Sequence, residues 1–546
     1  MQGDPLSPYL FILCADVLSS LITQLQLNNK IKGITIATNA PQITHLFFAD
    51  DNILFCRAKP EEATNLMTAL KDYERASGQQ INLSKSEMTF SPNLNQSIQQ
   101  GFLEIMPIQI SHTITKYLGM PTTLGRAKMH DFNFIMDRVW SKLKGWKEKN
   151  LSFAGRSVLI NVVIQAISTY MMSCFLIPKG ICYQMESAIC KFWWGSKESN
   201  HKIHWKAKDD LFKPKFSGGL GFRDMHLFNI AMLAKQGCRL HVNPNSLLSS
   251  CLKAKYYPSH DILQAQAGYR PSFTWRSIHH AINFLKKGSC WNVGNGYKVQ
   301  IWQDNWLPQQ NGYKILTPKA NHTISLVNEL MTFHPSLSWN IPLIDNIFMQ
   351  FESDLIKQLP LLQNPSEDKL MWPYTKDGCY SVRTGYNLLK QWQDSSKCNS
   401  ANPNTYNKIW KSIWSLHTIP RHKALLWRVA NNALPVRSAL SHRGIQCSIL
   451  CPRCLQKEET ISHLFMGCDR AAHVWFGSNL GVKFTPNQSN FLDWLFYCIS
   501  TLKEEDLVVI TTIIYGIWWA RNKLVFENYD MDDKAIIDHA YSSVRD

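Results

Sequence analysis

Apolar positions along this chain change their spacing several times, and the changes mark its elements. Residues 5–26 are apolar on most sides and predict a helix after a Gly-Asp-Pro opening. Residues 31–38 and 44–57 predict two strands about a turn at 39–41, the second apolar on both sides of Asp50 and Asp51. Residues 61–77 have the spacing of an amphipathic helix, stopped by Gly78. From Lys128 the pattern is helical, with Phe132, Ile135, Met136, Val139, Leu143 and Trp146 on one face. The uncharged run 157–178 predicts a packing partner for that face. As a membrane span it would carry Asn161, Gln165, Ser168, Thr169 and Ser173 into lipid at a cost, so a buried helix is expected instead. The apolar run 508–520 is too short to span easily.

Beyond residue 190 the character changes. Residues 190–345 are rich in Trp and Gly, with short strands, and 291–302 predict a hairpin about Asn295 and Gly296. The polar stretch 394–404, rich in Asn and Ser, predicts a linker. After it come helices, a Cys/His cluster and a last helical region.

Length and composition narrow the class. At roughly 100–200 residues per domain, 546 residues suggest about three domains. A net charge of +17 suits a polyanionic partner, nucleic acid being the commonest, though a solvated basic surface gives the same number. The 15 cysteines are odd in number and mostly scattered, as at Cys14, Cys56, Cys174 and Cys238, which argues against a secreted disulfide framework. The opening MQGDPLSP has no basic-then-apolar leader, so no secretory signal is expected and the nucleus or cytoplasm is the expected location.

Two adjacent acids between apolar strands are unusual. If that segment is buried, Asp50 and Asp51 need a cation, and Mg²⁺ prefers oxygen ligands with room for phosphate oxygens. Two metals clamping the attacking and leaving oxygens is the logic of nucleotidyl transfer. A solvated turn is the competing account.

A second cluster has the spacing Cys451-x2-Cys454-x8-His463-x4-Cys468. A C-x2-C turn lets two thiolates reach one Zn²⁺, and four N/S ligands make a closed, structural, tetrahedral site. Residues 459–468 would start as a helix and break at Gly467. Cys447 is a spare thiol that could replace one ligand.

The motifs in order resemble the reverse transcriptases of plant LINE-type (non-LTR) retrotransposons. Residues 2–11 (QGDPLSPYLF) resemble the segment contacting nucleotide and template, through Gln2, Gly3 and Pro5. Residues 48–51 (FADD) resemble the catalytic hairpin of the palm, which makes Asp50 and Asp51 the catalytic, Mg²⁺-holding pair. Residues 77–86 (SGQQINLSKS) resemble the next motif, with Lys85 near the nucleotide phosphates, and 117–121 (YLGMP) the primer-gripping hairpin, with Tyr117, Leu118 and Gly119. The match runs on through 151–156 (LSFAGR), 192–195 (FWWG), 218–222 (GGLGF), 302–308 (WQDNWLP) and 378–382 (GCYSV), for which packing is the favoured role. The stretch from Trp410 to Trp475 is similar to the zinc-binding domain that follows these polymerases. There Trp410, Trp414, Trp427 and Trp475 are expected in the core, and Lys411, Arg421, Lys423, Arg428, Arg437 and Arg443 either contact phosphates or form a solvated basic face. Residues 517–526 look like the helix leading into a ribonuclease H domain.

The resemblance implies an α+β multidomain chain. It comprises a partial palm hairpin (1–125), a helical thumb-like region (126–190), a mixed α/β connection region (191–391), a mostly helical zinc-binding domain (405–480) and a helical tail (481–546). It implies RNA template and DNA primer or target as partners, no membrane, Mg²⁺ at the palm and structural Zn²⁺. The family's first carboxylate lies on a strand ahead of the 2–11 motif, and neither Asp4 nor Asp16 matches it. Polymerase activity of these residues alone is therefore expected to be weak or absent, and a non-catalytic, zinc-containing nucleic-acid-binding remnant is the alternative.

Overall fold

The computed structural model describes residues 4–111, 116–122, 125, 128–147, 151–196, 202–308, 312–319, 322–333, 336–362, 366–396, 407–480, 482 and 490–544. The chain forms two compact units. One comprises residues 1–131, 171–176 and 229–390, the other 132–170, 177–228 and 391–546. The fold is mixed α/β and mainly helical, and the sheets among the described residues are two-stranded pairs.

The first unit opens with α1 (Ser7–Leu27). Asp4 starts it, its carboxylate accepting from the Leu6 N–H at 2.9 Å. Leu18 and Ile22 are buried and join Ile31, Leu66, Leu70, Tyr73 and Phe102 in one core. The opposite face leaves Leu10, Leu13 and Val17 exposed. Among the described residues α1 is the one helix long and apolar enough to cross a bilayer, by length and composition alone.

The stretch 44–57, one strand by its pattern and a hairpin by the resemblance, is the hairpin of β1 (His45–Phe48) with β2 (Asp51–Leu54), antiparallel with Phe48 opposite Asp51. The strand expected over 31–38 is reduced to one bridge, Ile34 with Ile43. Gly33 permits that approach, since a Cβ there would stand 2.1 Å from the Ile43 carbonyl oxygen. Helix α2 (Pro60–Ser77) ends at Gly78, whose φ of 71° makes the left-handed cap its sequence predicts. Glu62 fixes α2 to the strand before it. Its carboxylate accepts from the Lys32 N–H at 2.9 Å, the Arg57 N–H at 3.0 Å and Arg57 Nε at 2.6 Å. Burial alone would raise this carboxyl, but those donors hold it below its ordinary value.

Strand β3 (Glu87–Met88), helix α3 (Gln96–Ile105) and strand β4 (Gln109–Ile110) follow, the two strands pairing in parallel. The hairpin of β5 (Lys116–Tyr117) and β6 (Met120–Pro121) turns at Leu118 and Gly119, with φ of 50° and 74°. Two successive positive φ values are the signature of a type I′ turn, whose twist matches the strands it joins.

Later strands are β7 (Cys290–Asn292), the hairpin of β8 (Met331–Thr332) with β9 (Ser338–Trp339), and β10 (Lys369–Met371). The hairpin expected over 291–302 does not form, because β7 pairs with β10. The Asp368 carboxylate accepts from the N–H groups of Gly294, Gly296 and Lys298 at 2.7, 2.9 and 2.8 Å. Residues 294–298 therefore wrap a carboxylate and are not left to pair with each other. Separate cores gather about Trp275 with Trp372 and about Trp306.

In the second unit Phe132, Ile135, Met136, Val139 and Leu143 are buried as the helical pattern predicts, while Trp146 is half-buried. The run 157–178 is not one helix. Short helices Phe153–Leu159, Gln165–Ile167 and Thr169–Cys174 are joined through a π-helical turn at Ile160–Ile164. Thr169 Oγ1 donates back to the Gln165 carbonyl at 3.3 Å, local competition that weakens a helix. Trp410, Trp427 and Trp475 are core residues and Trp414 is half-buried. The Trp427 indole donates to the Gly218 carbonyl at 2.8 Å. Gly218 has φ 86°, and a Cβ there would lie 2.8 Å from the Trp410 ring, so the 218–222 loop seats on two tryptophans. Of the linker expected over 394–404, residues 397–404 lie outside the described residues, and 394–396 end the helix Val382–Ser396.

Candidate active site and metal centre

The aspartate pair stands where β1 turns into β2. Ala49 and Asp50 form the two-residue loop, and Ala49 takes φ 51°. Against expectation, the tip is not buried: Asp50 and Asp51 are exposed and Phe48 is 61% exposed. Strand alternation explains this, since Leu46 and Phe48 face solvent while Phe47 and Leu54 pack on the α1/α2 core. His45 ties β1 to α1 through Ser19 Oγ at 2.8 Å, and burial lowers its pKa. Among the described residues neither aspartate carboxylate has a hydrogen-bond or ion-pair partner. Two adjacent, open, unpaired carboxylates fit a divalent cation with oxygen ligands to spare.

Tyr117, on β5, feels the charge of this hairpin. Burial raises its phenol, and the Asp51 carboxylate raises it further. Leu118 is half-buried and Gly119 exposed at the tip of β5–β6. Lys85 is exposed, in a turn where its N–H donates to Asn82 Oδ1 at 3.2 Å. Pro5 is exposed just ahead of α1. Gln2 and Gly3 lie outside the described residues.

The second centre is assembled by a short loop and a helix start. Cys451 and Cys454 flank a knuckle in which the Leu455 N–H donates to the Cys451 carbonyl at 2.9 Å and Leu455 takes φ 59°. His463 opens a π-helical turn ending at Gly467, and Cys468 caps the helix Asp469–Gly477. The Cys451 and Cys468 sulfurs are 4.0 Å apart, and Cys454 Sγ is 3.3 Å from His463 Nε2. All four ligand atoms lie within 4.8 Å of one another. Four atoms ~2.3 Å from a common centre at tetrahedral angles stand about 3.8 Å apart, so the set fits Zn²⁺. Cys447 is outside this group, exposed, with its thiol 3.7 Å from the Arg437 carbonyl.

The four groups share their protons, with the thiolate favoured at Cys468. The Cys451 hydrogen bond, then His463 and the N–H groups of Ala471 and Arg470, hold the Cys468 thiol down to about 3 against burial. Cys451 is pushed up by that shared bond and by burial. His463 is raised through its hydrogen bonds to Cys468 and Cys454, burial opposing.

Sequence reading missed the buried pair that supports this loop. Glu459 accepts from Arg521 Nε at 2.7 Å and Nη2 at 2.8 Å, and from the Arg437 N–H at 2.6 Å. Both side chains are almost wholly buried. Two residues 62 positions apart leave no local pattern that pairs them.

Comparisons with known proteins now bear on the two centres. Residues 1–122 match the model of the reverse transcriptase (RNA-dependent DNA polymerase) domain, and residues 380–475 match that of the zinc-binding domain in reverse transcriptases. A protein of Arabidopsis thaliana named as a ribonuclease H protein is 26% identical over 414 residues, 73% of this chain and 64% of the relative. An uncharacterized mitochondrial protein of Arabidopsis thaliana is 42% identical over 143 residues, 26% of this chain and 93% of the relative. A second uncharacterized mitochondrial protein of that plant is 58% identical over 50 residues, 9% of this chain and 41% of the relative. The chain thus spans less than two thirds of the first relative's length. Fold and sites together define a polymerase-type chain with an aspartate hairpin and a zinc-binding module. Residues 1–122 thus carry a reverse transcriptase domain, and residues 380–475 the zinc-binding domain found in reverse transcriptases.

Proposed function

We propose that the chain is the reverse transcriptase of a plant LINE-type (non-LTR) retrotransposon, an RNA-directed DNA polymerase working on an RNA template and a DNA primer in the nucleus or cytoplasm. The observation that carries this is the Asp50/Asp51 pair, its carboxylates unpartnered among the described residues, at an exposed hairpin tip. Asp50 and Asp51 would hold Mg²⁺, which supplies Lewis acidity at the attacking and leaving oxygens. Lys85 offers a mobile point charge to the nucleotide phosphates. Gln2, Gly3 and Pro5 contact nucleotide and template, and Tyr117, Leu118 and Gly119 support the primer strand. Cys451, Cys454, His463 and Cys468 hold a structural Zn²⁺.

One observation favours a second reading, a non-catalytic nucleic-acid-binding remnant. The Asp4 carboxylate accepts from the Leu6 N–H and its carbonyl from Ser7 Oγ, Asp16 lies on α1, and the resemblance places neither as the third carboxylate of the hairpin. RNA-templated primer extension by residues 1–546 separates the two. Extension that requires Asp50 and Asp51 supports the polymerase, and binding without extension supports the remnant.

A further inference from the structure

Several motifs have no part in the polymer synthesis proposed for the aspartate hairpin: 151–156, 192–195, 218–222 and the Trp427–Arg428 pair. In the second unit they converge. The Phe153 ring packs edge-on against Trp193 at 5.0 Å, and Trp193 against Trp427 at 5.5 Å. Trp193 is held by its indole N–H to Ser157 Oγ at 2.8 Å, and Trp427 by its bond to Gly218.

Two guanidinium groups lie against this aromatic stack. Arg428 Cζ is 4.1 Å and Arg156 Cζ 5.3 Å from the centre of the Phe153 ring. Arg156 Nη1 donates to the Trp193 carbonyl at 3.1 Å, and Arg428 Nε to the Ala433 carbonyl at 3.2 Å. Gly195 leaves room for this, since a Cβ there would stand 2.6 Å from Arg156 Nη1. Arg428 is only 8% exposed and Arg156 is half-buried. Among the described residues neither has a carboxylate partner. Burial lowers both, and Arg156 contributes to bringing Arg428 down to about 10.

Two like charges taken out of water without a counter-ion are unfavourable. The carbonyl dipoles and the face of Phe153 offset part of that cost. Most of the N–H donors on each fork remain uncommitted among the described residues. Such forks match the geometry of a phosphate, and the net charge of +17 suits a polyanion.

We propose that Arg156 and Arg428 form a phosphate-binding pair that takes a backbone phosphate of a nucleic-acid strand, an inference that rests on the reading of this chain as a nucleic-acid-handling protein. The other phosphate source is a free ion, and the test separates the two.

The test uses the whole chain and a short fluorescein-labelled single-stranded RNA, with anisotropy followed over a KCl series without Mg²⁺. Arg156→Gln is expected to weaken binding about tenfold, the worth of a charge-assisted hydrogen bond. The slope of log K against log salt should flatten by about 0.7 for each phosphate that the variant no longer holds. Arg156→Lys should recover part of the affinity. Substitution at buried Arg428 puts the fold at risk, so the half-buried Arg156 carries the test, with circular dichroism and thermal unfolding as controls. A folded Arg156→Gln protein with unchanged affinity and slope would overturn the proposal. So would inorganic phosphate raising the Tm of wild type but not of Arg156→Gln while RNA binding stays the same, because the ligand is then a free ion. Absent extension with an Arg156-dependent slope removes the polymerase reading and leaves the phosphate pair standing. The reverse result removes the pair alone.

Discussion

At the hairpin tip, Ala49 sits in a left-handed conformation that costs an L-residue roughly 1–2 kcal/mol, next to two open carboxylates. Ala49→Gly should relieve that strain, and amide exchange in β1 and β2 should slow severalfold. In the other unit, Cys454→Ser or Cys468→Ser removes one of four ligands. Bound zinc, measured by atomic emission on purified protein, should fall from one per chain in wild type toward zero. At this scale much was legible. The aspartate pair, the zinc spacing and the cap at Gly78 follow from residue type and interval. The exposure of Asp50 and Asp51 was not, because apolar residues on both faces of a short strand look alike whether one face is buried or both. Only the position of the α1/α2 core decides that Phe47 turns in and Phe48 turns out.

Among the elements, the helix Glu504–Glu527 is held to the zinc loop by the buried Arg521–Glu459 pair. Arg521→Met leaves Glu459 charged and unpaired, and should cost roughly 3–5 kcal/mol by urea denaturation. The buried His422 lies between Ser543 Oγ at 3.1 Å and Thr418 Oγ1 at 3.4 Å. Burial, with Arg421 adding to it, lowers its pKa from 6.5 to about 4. The unfolded chain therefore binds this proton more readily than the folded one. The stability that neutral His422 contributes is intact above pH 6.5 and lost as pH falls toward 4. Thermal unfolding of wild type against His422→Gln should show that slope weakened in the variant. Helices with a clear 3.6-residue period were legible from sequence, as the buried face from Phe132 to Leu143 shows. The 291–302 hairpin was misread because Asp368, about 70 residues away, captures the N–H groups that a hairpin would use. The 157–178 run departs from a single regular helix at the π-helical turn Ile160–Ile164 and again at Ser168, where Thr169 Oγ1 bonds back to the Gln165 carbonyl.

For the whole molecule, order along the chain carries more than any single motif. A two-residue aspartate turn, a lysine turn, a type I′ hairpin and a Cys₃His cluster each have ordinary explanations alone. Their succession is what the family matches at residues 1–122 and 380–475 capture. Composition points to a polyanion through a charge of +17, but not to where phosphates would sit. The fold ties Arg421 to the Ser543 carbonyl and Arg437 to the Leu450 carbonyl, and buries Arg428 beside Arg156, so the basic residues of the zinc region are not one uniform surface. The most direct measurement is primer extension on an RNA template with Mg²⁺ by residues 1–546, beside Asp50→Ala/Asp51→Ala. Template-dependent extension, weak in wild type and reduced at least ~100-fold in the variant, is the expected result, a loss of about 2.7 kcal/mol or more in transition-state stabilisation. Extension that survives the double substitution would contradict it, while none from a wild-type protein that still binds RNA would leave the remnant reading in its place.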